Sequence, residues 1–206
     1  MALYDRRTLD GVYSVKQSVG YIQNYRYAEE RMMRMMAGWI ALTPELPVKL
    51  EMAKHVYECA LHADALGKRQ PELRAQAQVS KPPNEAFVTF INAIEDKEEW
   101  EQTIERMVGI YRVLKPHLIA HYSSHITAAN PVYEPPTLRI LARLVDDEKA
   151  HVEKGLVLLD DLLNTPEKHR RATTWQANLE ELLAASGGVT GFESEAEEPR
   201  RKLGRS

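Results

Sequence analysis

Two short helical motifs carry the chemistry this sequence offers. Glu148-x-x-His151 sets a carboxylate three residues from an imidazole, and Cys59-x-x-His62 sets a thiol at the same distance from another. Residues three apart lean to one side of a helix, so each pair can close on one cation. Carboxylate and imidazole suit iron or zinc, and a thiolate shifts the preference toward softer ions. A third group, Glu29, falls in the middle of an apolar helical stripe. A buried carboxylate is costly unless it is paired or bound to a cation. Arg26, one turn earlier, offers an ordinary ion pair. Equally ordinary readings make Glu148-x-x-His151 a solvated helix surface, Cys59 a small buried hydrophobe and His55 a core group. His117, His121 and His125 have metal-compatible spacing, and their ordinary reading is a polar helix end.

Four long helices must position these groups. The first is expected over residues 12–42, with Val15, Val19, Ile22, Met33, Met36 and Ile40 on one face. Thr43-Pro44-Glu45-Leu46-Pro47 ends it and opens the second, over about residues 48–67 or slightly beyond, since proline is tolerated at a helix start and poor inside one. That helix turns Val48, Met52, Val56, Cys59, Ala63 and Leu66 inward and Glu58 toward solvent. A polar connection follows over 67–83. Residues 85–95 and 97–128 make a third helical region, whose inner face carries Trp100, Ile104, Met107, Val108, Tyr111, Leu114 and Leu118. Pro116 predicts a kink in it. The fourth helix, 137–163, has Leu141, Leu144, Val145, Glu148, Val152, Leu159 and Leu162 inward. Residues 1–165 thus form one bundle, 166–186 hold an added helix over about 173–185, and 187–206 read as a disordered tail.

The two proline connections fix a register. Cys59 and His62 lie twelve and fifteen residues after Pro47; Glu148 and His151 lie twelve and fifteen after Pro136. Both motifs therefore sit at the same depth, about 18 Å down their helices. Glu29, eighteen residues before Pro47, returns to that level.

This arrangement resembles the ferritin-like superfamily of carboxylate-bridged dinuclear metal proteins, in which one Glu from each of two helices joins a Glu-x-x-His from each of two others. The resemblance covers residues 12–163. It matches Glu29 to the first Glu, His62 to the histidine of the first motif, and Glu148 with His151 to the second motif. It implies an all-α, up-down four-helix bundle of two helical hairpins with a short C-terminal helix. The implied metal centre comprises Glu29, Cys59, His62, Glu148, His151 and a helix-three ligand, His121, with His117 and Tyr122 as alternatives. The implied activity is a non-haem iron-type oxidoreductase or oxygenase acting on a small organic substrate with dioxygen, using up to two iron ions. The chain departs from the pattern twice. Cys59 stands where a Glu is expected, and Glu101 and Glu105 lie more than about 15 Å too far along helix three to contribute. With about two negative charges fewer than the pattern supplies, the alternatives are one ion, zinc, or no metal. The last makes the chain a metal-free binding or interaction module.

Composition narrows the rest. The 206 residues suffice for one substantial core, and the formal net charge of -3 argues against a nucleic-acid partner. One cysteine allows no internal disulfide and points to a reducing, cytoplasmic setting. No apolar run is long enough for a membrane span. The Met and Tyr content of helix one suggests a homodimer. No Gly-rich phosphate loop and no Gly-x-Ser-x-Gly are present.

Overall fold

Helices account for nearly all of the architecture in the computed structural model, which describes residues 13–131 and 134–191. Helix α1 (Val15–Leu42) opens on a capping box, Ser14 accepting from Gln17 N–H while the Gln17 side chain returns to the Ser14 backbone. Helix α2 (Leu46–Arg69) starts with proline in its first turn and runs into a 3-10 turn, Gln70–Leu73. Helix α3 (Glu85–Glu95) is capped by Asn84. Helix α4 (Thr103–Met107), a π-helical stretch (Val108–Leu114) and α5 (Lys115–Ala128) follow one another without a break. Helices α6 (Pro135–Leu162) and α7 (Pro166–Ser186) complete the order. There is no strand among the described residues, and none of their helices is long and apolar enough to cross a membrane.

Helix α1 packs on α2, α2 on α6, and α6 on α5 and the π stretch. Tyr25 of α1 and Tyr122 of α5 meet edge to face at 4.9 Å and close the ring. The buried side chains inside it include Ile22, Met32, Met36, Met52, Leu66, Leu114, Leu118, Leu141 and Leu159. Helix α7 lies outside, against α3, α4 and the π stretch.

Several expected details change. The buried face of α1 is Ser18, Ile22, Tyr25, Ala28, Glu29, Met32, Met35, Met36 and Trp39. Val15 is 56 % exposed, and Val19, Met33 and Ile40 are only half-buried, because the large Tyr25 and Trp39 rings take the core side. Met32, Met35, Met36 and Tyr25 therefore serve the chain's own core. Trp100 is 61 % exposed: helix three starts only at Thr103, and Trp100 belongs to the turn before it. Helix α2 starts at Leu46, two residues before the expected Val48, and α7 begins at Pro166, capped by Thr165, rather than near 173. Where Pro116 predicts a kink, the chain inserts the π stretch. Proline has no N–H to give and crowds the carbonyl one turn back, and a wider turn accommodates both. The lead-in at 1–11 and most of the expected tail, 192–206, lie outside the described residues.

The end of α7 is held through a histidine. Gly187, at φ 71, makes the left-handed turn that ends the helix, and Val189 N–H donates to His117 Nε2 at 2.9 Å. Burial, helped by neighbouring His121, pushes the His117 pKa down to about 3. The folded state resists a proton that the unfolded chain accepts near its ordinary 6.5. This contribution is therefore whole above pH 6.5 and is lost as pH falls toward 3. Between pH 7 and pH 5 it removes about 1–2 kcal/mol. Denaturant midpoints at the two pH values should show a smaller loss for His117→Gln than for the wild-type chain.

Candidate functional site

Three helices bring the inner groups together. Glu29 comes from α1, Cys59 and His62 from α2, and Glu148 from α6; all are buried, with one ligand atom from each lying within 4.8 Å of the others. Because α2 and α6 both begin with prolines in their first turn, equal counts along each reach equal depth. His62 Nδ1 lies 3.4 Å from Glu29 Oε2 and 3.6 Å from Glu148 Oε1. These spacings are long for a hydrogen bond to a charged group. They match the edge of a tetrahedral site, about 3.4 Å for ligands about 2.1 Å from their ion.

Lys115 changes the character of the site. It is the first residue of α5, directly after the π stretch, and its backbone N–H reaches Ile110 O, five residues back. The added residue in that turn directs the side chain inward, where it is fully buried. Its Nζ donates to both Glu148 oxygens, at 2.8 and 2.6 Å, and lies 3.7 Å from Cys59 Sγ. It also lies 3.0 Å from His151 Nδ1. An ammonium has no acceptor, so Nδ1 must accept here, which assigns the ring proton to His151 Nε2. That Nε2 faces Glu58 Oε2.

The outer carboxylates cross between helices. Glu58 precedes Cys59 on α2 and holds His151 of α6, while Asp147 precedes Glu148 on α6 and holds His62 Nε2 of α2 at 3.2 Å. Each imidazole so turns Nδ1 to the centre and Nε2 to a partly exposed carboxylate. Glu58 is therefore not simply solvated, because the approach of α6 brings His151 over it. His55 stacks on His151 with centroids 3.9 Å apart and bonds Tyr111 OH at 2.7 Å through Nδ1. His55, Glu58 and His151 form a second cluster with donors within 4.8 Å of one another. Gly155 permits this packing, since a Cβ there would meet the Tyr111 ring at 2.3 Å.

Of the helix-three candidates only Tyr122 reaches the centre, its hydroxyl donating to Glu29 Oε1 at 2.8 Å. His121 does not: it lies against His117, ring centroids 4.3 Å apart, near Gly188 at the end of α7. The π stretch and Pro116 rotate the following turn, so the face that carries His117 and His121 meets α7. Arg26 pairs with Glu30 and not with Glu29. Sequence reasoning missed Lys115, Glu58 and Asp147. A carboxylate directly before each inner ligand, in both motifs, was the available signal for the last two.

The electrostatics are balanced without help from outside. Burial opposes the Lys115 charge, while Cys59, Glu148 and Glu29 favour it, and the balance holds the ammonium well above its ordinary range. Burial likewise pushes Glu148 up, but the Lys115 ammonium first and His62 after it outweigh burial and hold the carboxyl well below its usual value. Burial opposes a proton on His62, yet Glu29 and Glu148 raise its pKa to about 10. Burial pushes the Cys59 thiol up, with Lys115 opposing. Two carboxylates thus face one ammonium and one imidazolium.

No family model matches this chain, and no curated protein and no solved structure matches it either.

Removing one partner of a buried pair leaves an uncompensated charge. Lys115→Met should therefore lower unfolding stability by about 3–5 kcal/mol, and Lys115→Met with Glu148→Gln should recover much of that loss. Urea unfolding of the two variants checks the coupling.

Proposed function

We propose that this chain is a ferritin-like four-helix bundle, formed by α1, α2, the α4–α5 helix and α6, that holds one divalent transition-metal ion. Its ligands are Glu29, Cys59, His62 and Glu148. The reading is carried by the convergence of all four donor atoms within 4.8 Å, with His62 Nδ1 at tetrahedral-edge spacing from Glu29 and Glu148 and His62 Nε2 fixed by Asp147. A carboxylate on the far nitrogen is how metal-binding imidazoles are oriented. The residues do not fit a dinuclear centre. Cys59 replaces one carboxylate, and the Lys115 ammonium lies against Glu148 and His151 where a second cation would need them. A divalent ion that displaced the protons of His62 and Cys59 would leave the net charge of the cluster unchanged.

As an enzyme, the chain would be a non-haem metal-dependent oxidoreductase acting on a small organic substrate, with dioxygen as the oxidant. The ion would supply Lewis acidity, and with iron also electron transfer to oxygen. The residues supply the rest. Lys115 fixes a positive charge beside the centre, and Tyr122 sets the Glu29 carboxylate through its hydroxyl. Lys115 and Tyr122 are both buried hydrogen-bond donors, and the surrounding core excludes water.

A second reading has its own observation. Since Lys115 and the His62 imidazolium already offset both carboxylates, the cluster can stand as a metal-free polar core in a binding module.

Elemental analysis of the purified chain, with zinc and ferrous titrations, separates the two. The metal reading expects close to one equivalent, lost in His62→Ala and Glu148→Ala. Less than about 0.2 equivalents, unchanged by Glu148→Ala, contradicts it and leaves the binding module. Two equivalents contradict the exclusion of a dinuclear centre.

A further inference from the structure

A cavity of about 400 Å³ lies on the outer side of α2 and α6 and ends at His62. Its rim carries four cations, Lys68 and Arg69 from α2 and Arg139 and Arg143 from α6, against one carboxylate, Glu72. Arg69 is held by Glu72 and by Thr137, at 2.8 Å through Nε. Lys68 pairs with Asp64 at 2.6 Å, and Arg143 lies 3.4 Å from Asp147. Arg139 has no ion-pair partner among the described residues. Arg139 and Arg143 stand one turn apart on the same face of α6, where like charges repel unless an anion lies between them. The walls are apolar: Leu61 and Ala65 on one side, Ile140 and Leu144 on the other. Leu61 is 37 % exposed, an apolar side chain turned toward the opening.

A concave apolar surface with a few convergent charges is the usual form of a small-molecule site. The charges here are of one sign and carry planar guanidinium groups, which grip carboxylate or phosphate oxygens in pairs. We propose that this cavity binds a small organic anion, its head group held by Arg139 and Arg143 and its apolar body lying between Leu61, Ala65, Ile140 and Leu144 toward His62. The site stands on its own lining and needs no metal. Its inner end touches His62, whose other nitrogen faces Glu29 and Glu148. In the metal-dependent reading this makes an organic anion the substrate, a step that rests on that reading.

The test is NMR titration of the full chain, as purified and after chelation, with octanoate, phenyl phosphate and uncharged octanol. The expected result is saturable shifts confined to residues 61–72 and 136–144, from octanoate, phenyl phosphate or both, and not from octanol. Whichever anion binds identifies the head group. Arg139→Glu should weaken that binding at least about tenfold, as expected for one lost charge-assisted contact. Ala65→Trp, which fills the cavity and removes no rim charge, should abolish it, with unchanged circular dichroism showing that both variants fold. Saturable anion binding by a chain that takes up no metal in the zinc and ferrous titrations leaves this site standing while the metal reading fails on those titrations. The proposal is overturned if neither anion produces shifts there, if octanol binds as well as octanoate, or if both variants bind like the wild type.

Discussion

The pairing of Lys115 with Glu148 constrains everything else at the centre of this molecule. Both groups are fully buried, and the ammonium contacts both carboxylate oxygens. Two isolated charges at that depth would be prohibitive, and together they are tolerable only with good geometry and further hydrogen bonds. The geometry is set by the π stretch that turns Lys115 inward. The further bonds come from His151, which is itself held by Glu58. Glu58, His151, Lys115 and Glu148 therefore form one chain of contacts across three helices, and moving any of them exposes the others to an unpaired charge.

The other half of the site is looser. Glu29, His62 and Glu148 approach one another at spacings beyond a good hydrogen bond, while Asp147 fixes His62 from outside. The Lys115 ammonium fills one side of the cluster, and the other side carries the set of donor atoms. Cys59 lies between the two, near Lys115 and within the donor set. Its thiol stays protonated for as long as only protons compete for it.

Much of this was legible in the sequence, for identifiable reasons. Prolines open a helix more readily than they continue one, so Pro47 and Pro136 gave the register that places Cys59, His62, Glu148 and His151 at one level. Glu29 was conspicuous as a charge in an apolar stripe. What stayed hidden depended on local backbone geometry. Lys115 reads as an ordinary surface lysine until a π turn adds a residue ahead of it, and the same turn carries His121 off to α7. Glu58 and Asp147 were hidden because their partners lie on the other helix, and periodicity within one helix cannot show that. The buried face of α1 was misplaced because aliphatic spacing underweights Tyr25 and Trp39.

The account turns on a charged amine in the middle of the core, and ¹⁵N-detected NMR of the Lys115 side chain observes it directly. The predicted result is an ammonium signal at neutral pH that does not titrate up to about the ordinary lysine value of 10.5 and that is altered by Glu148→Gln. A neutral amine at pH 7, or a Lys115 signal that titrates below that value, would contradict the account.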